Sequence, residues 1–179
     1  GARALGRAED GFSGTVIDSS ISLHMDNGVT VREVHWKSPS GKEILVKITR
    51  MTSFFQPSLF TIEYEITPLN FSDNLVIESV HEVDVENFSD PEDPRTAAYC
   101  QKCINPTNCE IRNGASYIGA ITSRSTLQVY SGVKNVLSQE ETPEHYVKDN
   151  TAICVFRPMA REGECITLRK YTVFCDSLR

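Results

Sequence analysis

The segment Ser58 to Thr67 alternates without a break: Phe60, Ile62, Tyr64 and Ile66 fall on one parity, and Thr61, Glu63, Glu65 and Thr67 on the other. Successive side chains of an extended chain point to opposite faces, so this segment has one apolar and one polar side. It needs a sheet that is covered on one face only. Glu43 to Arg50 repeats the pattern with Ile44, Val46 and Ile48, and Val29 to Lys37 before it is rich in β-branched residues. Between them Ser38-Pro39-Ser40-Gly41 suits a type I turn, because proline presets φ at the second position. The two segments are expected to form a hairpin, with a bulge in the first arm where the alternation slips between Arg32 and Val34.

More extended segments follow. Leu75 to Glu86 alternates apolar with acidic residues, and Tyr117 to Thr122, Thr126 to Tyr130, Ala152 to Arg157 and Cys165 to Cys175 complete the series. Turn signals stand at Asn27-Gly28, Asn113-Gly114, Ser131-Gly132 and Glu162-Gly163. No window carries a helical stripe of useful length. Two stretches break the rhythm: the acidic run Glu78 to Pro94, a loop from about Phe88, and the polar segment Ser138 to Asn150. Many short strands with turns between them predict an all-β protein, a large antiparallel β-sandwich (super-sandwich) with little helix. The 179 residues fit a single domain, 1-179, large enough to fold without a staple.

Charge narrows the function. With 18 Lys plus Arg against 24 Asp plus Glu, the net charge is −6, which argues against a nucleic-acid partner. No apolar run approaches the roughly 18 residues of a membrane span, so no membrane partner is expected. The chain opens on Gly1 without an initiator Met, as a processed, tagged or excised start does, and shows no signal-peptide apolar core. A cytoplasmic location is therefore expected.

Residues that carry chemistry are scattered. Cys100 and Cys103 have the two-residue gap that lets two thiolates reach one zinc, with Cys109 a third ligand, but no regular fourth follows. Zinc, disulfide and free thiol all stay open for this triplet. Free thiols are expected, because nothing indicates export and the core suffices. Cys154, Cys165 and Cys175 fall in strand-like segments and suit small apolar roles. Metal ligands and cofactors are expected to be none. Glu63 and Glu65 share a strand face, yet paired outward carboxylates on an acidic chain form a solvated surface unless burial tunes one of them. His24, His35, His81 and His145 occur singly. No phosphate-cradling glycine loop and no nucleophile elbow is present. Trp36, Phe54, Phe55, Phe60 and Tyr64 suit either a sugar-stacking platform or the core, and the core is the expected place for Trp36 and Phe60. Asn70-Phe71-Ser72 and Asn87-Phe88-Ser89 match the glycosylation triplet, a pattern that also arises by chance. The expected catalytic residues are none.

The order of motifs adds a family resemblance. Leu23-His24-Met25-Asp26-Asn27-Gly28-Val29 leads into Arg32-Glu33-Val34-His35-Trp36 and Ser38-Pro39-Ser40-Gly41. Then come Ser58 to Thr67 with Pro68-Leu69-Asn70-Phe71, Asn87 with Asp93-Pro94-Arg95, and Ile166-Thr167-Leu168-Arg169-Lys170-Tyr171-Thr172-Val173-Phe174. Together these resemble the amino-terminal domain of glycoside hydrolase family 65, which includes maltose, kojibiose, nigerose and trehalose phosphorylases. The resemblance covers most of Leu23 to Leu178, and Cys100 to Asn113 matches it poorly. It implies a β-sandwich without catalytic residues, packed in a longer carbohydrate-active enzyme against a helical barrel that carries the general acid and the phosphate site. Nothing in 1–179 corresponds to that barrel.

Two functions of different class are thus in play. The first is a structural and assembly domain of an inverting α-glucoside phosphorylase or hydrolase acting on disaccharides. Its implied partners are the catalytic helical barrel of the same polypeptide, an α-linked disaccharide, phosphate and a second copy in a homodimer, and the chain alone would be inactive. The alternative is an independent carbohydrate-binding sandwich module. Flat exposed faces on Phe54, Phe55 or Trp36 would favour the second.

Overall fold

In the computed structural model, residues 2–4, 14–85 and 102–178 are described. They form β1 (Ala2–Ala4), β2 (Thr15–His24), β3 (Val29–Lys37), β4 (Glu43–Thr52), β5 (Leu59–Pro68), β6 (Asp73–Asn74) and β7 (Ile77–His81). After these come β8 (Ile104–Arg112), β9 (Ala115–Thr122), β10 (Gln128–Leu137), β11 (Glu144–Lys148), β12 (Thr151–Phe156), β13 (Met159–Ala160) and β14 (Ile166–Asp176). There is no helix among the described residues. The all-β, antiparallel sandwich expected from the alternation is the fold observed.

One sheet has eight strands in the order β2-β3-β4-β5-β14-β10-β9-β8, and a second has four in the order β1-β7-β12-β11. Every pairing is antiparallel. The core lies where β5 and β14 of the large sheet meet β7 and β12 of the small one. It is built by Tyr64, Ile66, Ile166, Leu168, Ile77, Cys154 and Phe156, with Ala160 of β13.

The alternation in β5 sets the polarity of the large sheet. Tyr64 and Ile66 are buried and Ile62 packs against them, while Glu63 and Glu65 lie on the other face. Because antiparallel partners share a face, the register carries this polarity outward. Leu168 lies beside Tyr64, Ile48 beside Tyr64 on the far side, Arg32 beside Ile48 and Ile21 beside Arg32. Val16, Ile21, Leu23, Val34, Trp36, Ile44, Val46 and Ile48 therefore all stand on the core-facing side of the sheet.

The hairpin between β3 and β4 forms as expected. Gly41 N donates to Ser38 O at 2.9 Å and Ser38 N to Lys42 O at 2.8 Å. Asn70 clips it from outside, its Oδ1 accepting from Glu43 N and its Nδ2 donating to Gly41 O. The side chain of the first glycosylation triplet is thus already committed to the hairpin. Asn87-Phe88-Ser89 and the loop expected from Phe88 lie outside the described residues. At Asn113-Gly114 both φ angles are positive (52° and 71°), the backbone of a two-residue turn whose twist suits the β8–β9 hairpin.

Several expectations need correction. The bulge is in β2, between Val16 and Asp18, and β3 keeps a continuous register with β4. Arg32 simply occupies a core-side position that no described residue covers, so the slip in pattern needs no extra residue. Ser131-Gly132 is no turn but the middle of β10. A Cβ on Gly132 would stand 3.4 Å from the Tyr117 ring and 3.1 Å from Val173 Cγ2, so glycine here makes room for a cross-strand tyrosine. The polar segment Ser138 to Asn150 contains β11, an exposed edge strand, and the poorly matching Cys100 to Asn113 contains β8. β7 ends at His81, since among the described residues no strand pairs with Val83 or Val85, and Glu86 lies outside them.

Leu168→Ala, at a fully buried position between the sheets, is expected to destabilise the chain by about 2–5 kcal/mol. Glu63→Ala, on the outward parity two strand positions from Glu65, is expected to cost a small fraction of that. Urea melts of both variants check the assignment of faces.

Candidate functional site

The side chains singled out from the sequence do not converge. Glu63 and Glu65 are tied to separate cations across neighbouring strands, Arg169 Nε to Glu63 Oε2 at 2.6 Å and Lys47 Nζ to Glu65 Oε2 at 2.8 Å. Each carboxylate is thus engaged by its own cation on a solvated sheet face, and the two do not stand together as an acid–base pair. His35 and Lys37 both reach Glu43, and these two partners hold its carboxyl below the usual range. Among the described residues no group of three metal-ligating side chains stands together.

The cysteines divide. Cys109, Cys154, Cys165 and Cys175 are free. Burial raises the Cys154 thiol to about 11, which suits a small apolar residue and makes it a poor nucleophile. Cys103 is disulfide-bonded, contrary to the free thiol expected of it. The expectation rested on whether the core needs a staple, whereas a disulfide requires only two sulfurs held at bonding geometry. Cys100 lies outside the described residues.

Of the aromatic set, Tyr64 is core, Trp36 and Phe60 are half-buried, and Phe54 and Phe55 project from the β4–β5 connection at 87% and 102% exposure.

The sequence reading missed a polar cluster inside the sandwich. His81 at the end of β7 is buried with both ring nitrogens occupied, Nδ1 by Ser116 Oγ at 2.8 Å and Nε2 by Ser131 Oγ at 2.7 Å. Each serine hydroxyl can donate to a bare ring nitrogen or accept from a protonated one, so a neutral imidazole is satisfied in either tautomer. Burial, aided by the nearby Lys170 charge, pushes its pKa down to about 4. Lys170 of β14 is also buried, and its Nζ donates to Val80 O at 2.8 Å. Burial lowers its pKa as well. Both residues line an open cleft of about 310 Å³ between the sheets, with Thr172, Ser131 and the apolar side chains Phe60, Val83, Val85 and Phe174. A signal did exist. Lys170 and Thr172 share the parity of Ile166 and Leu168, so the sequence places a lysine on the core side of a strand.

A second feature is an absence of cover. On the core-facing side of β2, Val16, Ile21 and Leu23 are 53%, 70% and 60% exposed, though their parity continues that of the buried core. The small sheet pairs and packs beneath the β5–β14 end and leaves this apolar side open among the described residues.

A family model described as "Glycosyl hydrolase family 65, N-terminal domain" matches residues 6–179. An alpha,alpha-trehalose phosphorylase of Geobacillus stearothermophilus is 33% identical over 169 residues, covering 94% of this chain and 22% of that protein. The alpha,alpha-trehalose phosphorylase of Thermoanaerobacter brockii is 27% identical over 176 residues, 96% of this chain and 23% of that one. A solved structure titled a putative kojibiose phosphorylase from human microbiome has the same fold, with a TM-score of 0.77 over 98% of this chain and 21% of its own, at 10% identity. The chain thus spans less than a quarter of the length of each relative.

Because the His81 pKa is lowered from 6.5 to about 4, the folded state binds fewer protons than the unfolded chain between those values. Its contribution is complete above about pH 6.5 and is lost as the pH falls towards 4, by about 2–3 kcal/mol for a shift of this size. Stability measured from pH 7 to 4 should show this slope, and His81→Gln should lack that part of it.

Proposed function

The chain belongs to the glycosyl hydrolase family 65 N-terminal domain family, and on that premise we propose that residues 1-179 act as a non-catalytic scaffold in a longer α-glucoside phosphorylase or hydrolase. The observation that carries this reading is the open core-side face of β2. A sheet side patterned for burial, with Val16, Ile21 and Leu23 left in solvent, is made to be covered. Exposed apolar surface costs about 25 cal/mol per Å² relative to burial, so a partner that covers it is held by that face. The occupant we assign is the remainder of the same polypeptide, the catalytic helical barrel included, since more than three quarters of each relative's length lies outside the match.

On this reading the chemistry belongs to the barrel. There a carboxylic acid protonates the leaving oxygen of an α-linked disaccharide while phosphate or water attacks the anomeric carbon. The scaffold's own contribution is to hold the barrel, to shape one side of the sugar pocket and to support a homodimer, in the cytoplasm. The separation of the Glu63 and Glu65 carboxylates into two ion pairs supports leaving catalysis out of this chain.

The second reading, an independent carbohydrate-binding module, is favoured by one feature, the exposed rings of Phe54 and Phe55. Aromatic faces of this kind stack on sugar rings, but the polar side chains of the same connection are turned on one another, Ser53 Oγ accepting from Gln56 N and Gln56 Nε2 donating to Ser58 Oγ.

The chain incubated with maltose, trehalose, kojibiose or nigerose, with and without phosphate, is expected to release no glucose or glucose 1-phosphate. Turnover that persists through repurification would contradict the scaffold assignment. Calorimetric titration with the same sugars is expected to give no saturable heat. Saturable binding abolished by Phe54→Ala and Phe55→Ala would transfer the conclusion to the module.

A further inference from the structure

The cleft that holds Lys170 has a composition the scaffold role does not call for. Its walls are mainly apolar, formed by Phe60, Val80, Val83, Val85, Val133 and Phe174, and its volume of about 310 Å³ lies at the small end of small-molecule pockets. One ammonium group is set into it. Lys170 Nζ has three donors and a single acceptor among the described residues, Val80 O. No carboxylate stands within ion-pairing distance of it among the described residues. The titratable groups around it are His81, neutral and saturated by two serines, the Cys154 thiol, and Glu82, which is exposed at the rim.

A buried ammonium with unused donors is costly unless an anion joins it. Thr172 adds a second donor. It lies two residues along β14 on the same face, lines the cleft, and its hydroxyl makes no hydrogen bond to a described residue. Ser131 lines the cleft too, but its hydroxyl is already bonded to His81 Nε2. Two free donors on one strand, faced by valine and phenylalanine side chains, select both ends of a ligand. A phosphate dianion is strongly hydrated and gains nothing from apolar walls. A carboxylate on an apolar body matches both.

We propose that this cleft binds an amphipathic carboxylate, with its oxygens on Lys170 Nζ and Thr172 Oγ1 and its apolar body against Phe60, Val83, Val85 and Phe174. The group can come from a free carboxylic acid or from an acidic side chain of a peptide segment, and the same donors serve either. Binding leaves the His81 network in place, since none of its hydrogen bonds points to the ligand.

The test is a titration of the ¹⁵N-labelled chain followed by NMR, with benzoate and hexanoate as free acids and a blocked tripeptide carrying glutamate between two leucines as the peptide source. Saturable shifts are expected in the amides of Val80 to Val85 and Lys170 to Phe174, with a Kd on the order of 1–10 mM for ligands this small. The tighter of the two sources identifies the natural one. Hexanol, which has the apolar body without the charge, should bind at least about tenfold more weakly, as expected for loss of a charge-assisted hydrogen bond. Lys170→Met should abolish carboxylate binding and Thr172→Val should weaken it several-fold. If Lys170→Met does not fold, hexanol and Thr172→Val decide the matter. Absence of saturation with every carboxylate, equal binding of hexanol, or unchanged binding by Thr172→Val together with Lys170→Met would overturn the proposal. Inorganic phosphate binding as tightly as benzoate would overturn the apolar half of it.

Discussion

Everything in this fold depends on one-sided burial of a wide sheet. β5 fixes which side is apolar, and the antiparallel register transmits that choice to β4, β3 and β2 in one direction and to β14, β10, β9 and β8 in the other. A shift of one residue at any pairing would turn a whole strand over, so register and burial enforce each other. Eight strands offer more apolar area than four can cover. Among the described residues the mismatch in width leaves two exposed regions on the core-facing side, the cleft beside β7 and the open face of β2.

The interior also tolerates polarity where it is fully satisfied. His81 has a partner on each nitrogen and is held neutral, so it costs little above pH 6.5. Lys170 is different. Among the described residues a single backbone carbonyl answers its three donors, and burial lowers its pKa. Lys170 lines the cleft beside β7, where the two sheets do not close over it.

Much of this was legible in the residues. Strict alternation located β5, and the turn chemistry of Ser38 to Gly41 and Asn113-Gly114 fixed two hairpins, because both signals are local. What failed was whatever depended on a neighbour. β2 escaped notice because the bulge between Val16 and Asp18 shifts its parity and three serines interrupt its apolar residues, so the alternation that marks a strand is broken along it. Gly132 reads as a turn until Tyr117 is placed across from it. The edge strand β11 is polar because edges face solvent, and polarity alone resembles a loop. Lys170 stood on the core parity in plain sight, yet a lysine at one such position invites the assumption of a slip rather than a site. The motif order, by contrast, carried the family resemblance without reference to burial.

The central claim is that the open side of β2 is an interface within a longer polypeptide. Ile21→Lys with Leu23→Lys tests it most directly, compared between this chain alone and a polypeptide that also carries the catalytic part. Both positions are solvent-exposed in the chain, so its urea midpoint should barely move. In the longer polypeptide the two charges would be buried unpaired, and a loss of several kcal/mol of stability with collapse of activity is expected. Equal tolerance of the two lysines in both proteins would contradict the account.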